Sequence, residues 1–174
     1  MATAREWAHA YARQAVADYR AWQAMQDAKD FHECHRLLLF QMACEKLCKA
    51  HLILSGTHPD AIQTSHGFVA NPLPLIIKQQ LVALNVPSTK TKGIIVFARY
   101  LATEIEVLNP AMDRNGKRPD NCEYPWEDAI QVLHSPLDWT FHAAQLLLEK
   151  PRGRTFLKVL DTAFARILED SRPD

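Results

Sequence analysis

Residues 31–54 read FHECHRLLLFQMACEKLCKAHLIL, and this stretch decides the fold. Leu37, Leu38, Phe40, Met42, Cys44, Leu47, Cys48 and Leu52 spread apolar surface around most of a helical circumference. A helix apolar nearly all round is buried on several sides, so this one is expected at the centre of a helical assembly. Asp30 is placed to cap it, with Glu33 three residues on as the capping-box partner, and Gly56 and Pro59 end it. Three charges interrupt the apolar surface. Glu45 and Lys49 stand in the favourable i, i+4 order with Lys46 between them, which on a solvated face is worth a few tenths of a kcal/mol. On a helix otherwise this apolar, Glu45 is expected to be partly buried and to need a partner from another element.

Working outward, the flanks are helical too. Trp7, Tyr11, Ala15, Tyr19, Trp22 and Met25 fall in one sector at 100° per residue and predict a first helix over 4–28. Pro74 is placed to open a helix running through Leu84. Ile94, Phe97, Leu101, Ile105 and Leu108 repeat at three and four between Pro87-Ser88 and the stop at Asn109-Pro110. Two last helices are expected over 137–150 and 155–168, with Pro151 and Gly153 breaking the chain between them. No stretch alternates convincingly enough to predict a strand. The expectation is an all-α, up-and-down bundle of about five to six helices in one domain spanning 1–174.

Composition narrows the function classes. The chain has 174 residues, 48% hydrophobic and 23% charged, within the range of folded globular domains. Twenty Lys and Arg balance twenty Asp and Glu, which excludes a surface uniformly built to attract nucleic acid. No apolar run approaches the roughly 20 residues of a membrane-spanning helix. The first thirty residues carry Arg5, Glu6, Arg13, Asp18, Arg20, Asp27, Lys29 and Asp30 and no apolar core of a signal peptide. Cys34, Cys44, Cys48 and Cys122 lack the spacing of a disulfide framework. A cytoplasmic protein with reduced thiols, no membrane association and no cofactor is expected.

No nucleophile elbow, phosphate-binding loop, H-E-x-x-H helix or dinucleotide fingerprint occurs in the sequence. Cys44, Cys48 and His51 at i, i+4 and i+7 share one helix face and could supply three soft ligands to zinc or a redox-sensing group. The competing reading makes both cysteines small core residues, as free cysteine commonly is.

The segment Gln41-Met-Ala-Cys-Glu45-Lys46-Leu-Cys-Lys49-Ala50 resembles the Q-x-A-x-E-K-x-x-K-A helix of HEPN (higher eukaryotes and prokaryotes nucleotide-binding) domains. Ser65-His66-Gly67-Phe68 stands where that family carries a T-H-D-L-type loop, and the resemblance runs through about residues 4–110. It implies a four- to six-helix bundle that dimerises. It also implies kinship with metal-independent ribonucleases, including toxins paired with nucleotidyltransferase antitoxins, so an antitoxin-like nucleotidyltransferase is an expected class of partner. The family's catalytic signature is Arg, four to six residues, then His. No Arg here precedes a His at that spacing: Arg5 and His9 are separated by three residues, Arg118 and His134 by fifteen.

Residues 113–127, DRNGKRPDNCEYPWE, stand roughly where those relatives place their site. Arg114, Lys117, Arg118, Asn121, Tyr124 and Trp126 could hold phosphate and stack on a base, with His66 a further candidate contact. Asp113, Asp120, Glu123 and Glu127 oppose them, and the other reading is a structured surface loop whose aromatics cover helix ends. Three functions follow. The first is a non-catalytic or divergent HEPN-like dimeric binding module, with a toxin–antitoxin or defence setting. The second is a ribonuclease whose site is rearranged, with Arg118 brought to His66 or His134 and RNA or a nucleotide as ligand. The third is a metal- or redox-sensing bundle built on Cys44, Cys48 and His51.

Overall fold

The protein is described from a computed structural model, which covers residues 2–112 and 120–173. It is an all-α bundle, as the periodicity predicts. Its elements are α1 (Ala4–Met25), α2 (Glu33–Leu54), α3 (Pro72–Ala83), α4 (Ser88–Glu106), β1 (Trp126–Glu127), β2 (Leu133–His134), α5 (His142–Ala144) and α6 (Pro151–Asp170).

Thr3 starts α1 through a complete capping box with Glu6. The expected stripe faces inward, with Ala15, Tyr19 and Trp22 buried. Lys46 reaches Asp18 at 2.6 Å, Trp22 packs on Phe40, and Lys49 lies over the Tyr11 ring. Rising numbers on α2 thus meet falling numbers on α1, and the two helices run antiparallel. The same logic aligns α1 with α6: the Tyr19 hydroxyl donates to Asp161 at 2.7 Å, Tyr19 stacks on Phe164, and Arg5 Nε donates to the Arg172 carbonyl. Helices α3 and α4 close the other side, with Leu73, Ile77, Leu101 and Ile105 joining Phe40, Leu47 and Phe156 in one continuous core.

Several boundaries differ from expectation. His32, not Asp30, occupies the N-cap of α2 and makes no side-chain cap bond. Glu33 is drawn away from capping because its carboxylate accepts the Phe141 backbone N–H at 3.1 Å. Helix α3 opens at Pro72, two residues early, and α4 ends at Glu106, short of Asn109-Pro110. The expected helix over 137–150 shrinks to one turn of α5, continued by a wide π-type turn through Gln145–Glu149. The break falls where expected, at the extended Lys150, but Pro151 and Gly153 already belong to the first turn of the last helix, which starts before position 155. Pro151 sits in the first turn of α6, where its missing N–H costs nothing. A Cβ on Gly153 would clash with the carbonyl oxygens of Leu146 and Leu147, so only glycine lets the wide turn close down on α6.

A short antiparallel ribbon was not expected. Trp126 faces His134 and Glu127 faces Leu133 across β1 and β2. Its turn contains no glycine. Gln131 instead takes the left-handed conformation at φ 64°, while the Asp128 carboxylate accepts the backbone N–H groups of Ile130 and Val132 at 3.0 Å each.

Candidate functional site

Twelve of the 22 residues of α2 are buried, and three of those are Gln41, Glu45 and Lys49. Polar groups in that position must find partners inside the protein. They find them largely in one another. Gln41 Nε2 donates to Glu45 Oε2 at 2.9 Å, and Lys49 Nζ lies 2.8 Å from Glu45 Oε1. The ammonium, 3% exposed, also sits 5.9 Å from the centroids of the Tyr11 and Phe68 rings, within cation–π range of both. Lys46 points the other way and is tied to Asp18, which also accepts from Gln14. The Glu45 carboxylate, together with burial, raises the Tyr11 phenol above its ordinary range, burial being the larger cause.

The outer wall of this cluster is the loop before α3. His66 Nδ1 lies 3.3 Å from Glu45 Oε1 and 3.3 Å from Asn109 Nδ2. Asn109 Oδ1 already accepts the Ala111 N–H at 2.9 Å, which fixes the amide with its NH2 toward the ring. One Nδ1 cannot donate to a carboxylate and accept from an amide in the same state. Of the two, the Asn109 contact has hydrogen-bond geometry, so Nδ1 accepts from the amide while lying beside the Glu45 carboxylate. The loop is pinned a second time by Glu106 at the end of α4. Its Oε2 accepts the N–H groups of Val69 and Ala70 at 2.9 and 2.8 Å. The two segments that carry the family resemblance, the α2 motif and the Ser65–Phe68 loop, therefore touch through Glu45 and His66.

Chemically, this cluster has little left to give a substrate. Both Glu45 oxygens are occupied and Lys49 is sealed under two rings. The half-exposed His66 ring is what the network presents to solvent. Glu106 and Asn109 are contacts of this loop that the sequence concealed: Asn109 reads there only as a helix stop, and its contact with His66 is tertiary.

The other sequence candidates separate. Asp113, Arg114, Lys117 and Arg118 lie outside the described residues. Asn121 is buried, and its Oδ1 accepts the N–H groups of Glu123 and Tyr124, making a turn where the sequence suggested a ligand contact. Trp126 is folded inward, stacked on His134 at 5.9 Å and edge-on to Trp139, while Tyr124 stays exposed. His134 Nε2 contacts Asp128 Oδ2 at 2.9 Å. That contact, with the backbone donors of the turn, holds the Asp128 carboxyl below its ordinary range.

Cys44, Cys48 and His51 do not converge. Both thiols are fully buried, and burial raises them well above the usual thiol range. His51 is only partly buried and lines an open groove of about 1260 Å³ between α2, α3 and α6. Among the described residues, no group of three or more His, Cys, Asp or Glu side chains is arranged to hold a metal ion. Nor is any helix described long and apolar enough to cross a membrane. Comparison with protein-family models, with curated proteins and with solved structures found no match to this chain.

Proposed function

We propose that this chain is a divergent, non-catalytic HEPN-like bundle that acts as a dimeric binding module. The observation that supports this reading is the contact between Glu45 and His66. It joins the two sequence segments that resemble the family, and its geometry is that of a structural clasp. The same carboxylate accepts from Gln41 and pairs with Lys49, so it ties the loop to two further side chains of α2. The absent Arg…His signature points the same way. Dimerisation would cover apolar side chains that the single chain leaves exposed, such as Leu75 and Val82 on α3.

Two measurements on the purified protein test this. Light scattering should give about twice the chain mass of 19.8 kDa at micromolar concentration. A fluorescent single-stranded RNA should remain intact in its presence. A mass of one chain throughout that range, or RNA cleavage that disappears in His66→Ala, would overturn the reading.

A further inference from the structure

The charge balance of the whole chain conceals a local imbalance. Between Cys122 and Glu149 there is no Lys or Arg, while Glu123, Glu127, Asp128, Asp138 and Glu149 all fall there. The β1–β2 ribbon lies in the middle of that stretch. Glu123, Glu127 and Asp138 are exposed, and the turn and ribbon between them expose large apolar side chains, Ile130 at 79% and Leu133 at 70%, with Tyr124, Val132 and Leu137 also exposed in the same segment. Scattered apolar residues on a surface need no account, but five within fourteen residues do.

The segment is also firmly built. Asp128 holds the turn through Ile130, Val132 and His134. Trp126, His134 and Trp139 form an aromatic footing beneath it, and the Cys122 N–H donates to the Leu108 carbonyl to anchor its entry. A preformed surface loses little freedom on binding.

We propose that residues 123–138 form a docking surface for a protein partner that presents basic side chains around an apolar patch. The carboxylates choose among occupants. RNA and anionic lipid headgroups would be repelled by them. A second copy in a two-fold contact would set the same carboxylates against each other, since such an interface pairs a patch with itself. A basic, apolar face satisfies both the charge and the exposed side chains. The proposal rests on reading the chain as an interaction module, but it does not depend on the dimer.

The test uses the full chain, with a fluorescent amphipathic leucine–lysine peptide of about 18 residues as probe, the helix-in-groove type of ligand turned to an exposed face. A leucine–glutamate peptide and a serine–lysine peptide of equal length separate charge from apolar contact. The leucine–lysine peptide should bind, more weakly as salt rises. Its affinity should fall about tenfold or more in the double variant Ile130→Ser, Leu133→Ser and severalfold in Glu127→Lys, with both control peptides weaker on the parent. Circular dichroism should show both variants folded.

Equal binding by the double variant, or by the leucine–glutamate peptide, would overturn the proposal. So would a doubled mass that reverts to one chain in the double variant, which makes the occupant a second copy. Binding to phosphatidylserine vesicles that the same variant abolishes would assign the surface to lipid and overturn it likewise. Mass measured in the same samples keeps the two readings apart: a monomer that binds the peptide through Leu133 loses the dimer and keeps the surface, and a dimer indifferent to the peptide does the reverse.

Discussion

The α2 cluster and the β1–β2 ribbon break the ordinary partition of residues in opposite directions. Glu45 and Lys49 are charges placed inside, while Ile130 and Leu133 are apolar side chains placed outside. Each arrangement has a cost, and the difference lies in how it is met. The interior charges are met within the chain: Glu45 and Lys49 pair with each other, Gln41 donates to the carboxylate, and the His66 ring lies beside it. Ile130 and Leu133 of the ribbon stay mostly exposed among the described residues. A buried pair satisfied in this way specifies how α1, α2 and the loop before α3 fit together; an exposed apolar ridge on a rigid turn specifies something beyond the chain.

The sharpest way to break this comparison is to remove one charge. Glu45→Ala should cost on the order of 3–5 kcal/mol in denaturant unfolding, because Lys49 is left buried without its carboxylate. The double substitution Glu45→Leu, Lys49→Met should recover most of that loss. If Glu45→Ala costs less than about 1 kcal/mol, the cluster is not the clasp described here.

A smaller effect is expected from acid at the ribbon. Asp128 has its folded carboxyl held below the ordinary value of 3.8, first by the His134 hydrogen bond and then by the Val132 N–H. Its contribution is therefore present above about pH 3.8 and is lost as pH falls through the lower folded value. Tryptophan fluorescence, which reports Trp126 and Trp139 beside His134, should change in that acid window in the parent. Asp128→Asn should remove that acid step; a step of unchanged size would assign it to another carboxylate.

The smallest effect is expected at the ridge itself. Leu133→Ser should alter unfolding stability by no more than about 0.5 kcal/mol, since the side chain is mostly in water already. A loss above roughly 2 kcal/mol would mean that Leu133 is packed in solution, and the contrast with α2 would fail.

Much of the bundle was legible because its longer helices carry their burial as a period. The stripes Trp7 to Trp22 and Phe156 to Ile167 point where expected because each repeats over several turns. The segment 137–150 misled at its start, where Leu137 to Phe141 precede the helical turns that hold Leu146-Leu147-Leu148. The wide turn there is shaped by Gly153 closing on carbonyls, a contact invisible in sequence. The ribbon escaped for a related reason: its strands are two residues long, and an aspartate side chain with Gln131 at positive φ does the work a glycine would have announced. Of the α2 cluster, the Glu45–Lys49 pair followed from spacing alone. The Glu45–His66 and His66–Asn109 contacts did not, since they join residues far apart in the chain.

The antiparallel packing of α1 on α6 also sets an order of assembly during synthesis. The Tyr19 hydroxyl and its acceptor Asp161 are 142 residues apart, whereas α1 meets α2 across a short turn. At ribosomal speeds of about 5–20 residues per second, the α1–α2 hairpin has its own contacts for several seconds before α6 is made. Through that interval the side of Tyr19 that will stack on Phe164 faces water. A nascent chain paused before Pro151 therefore exposes apolar surface that only the last helix covers, the kind of species that aggregates.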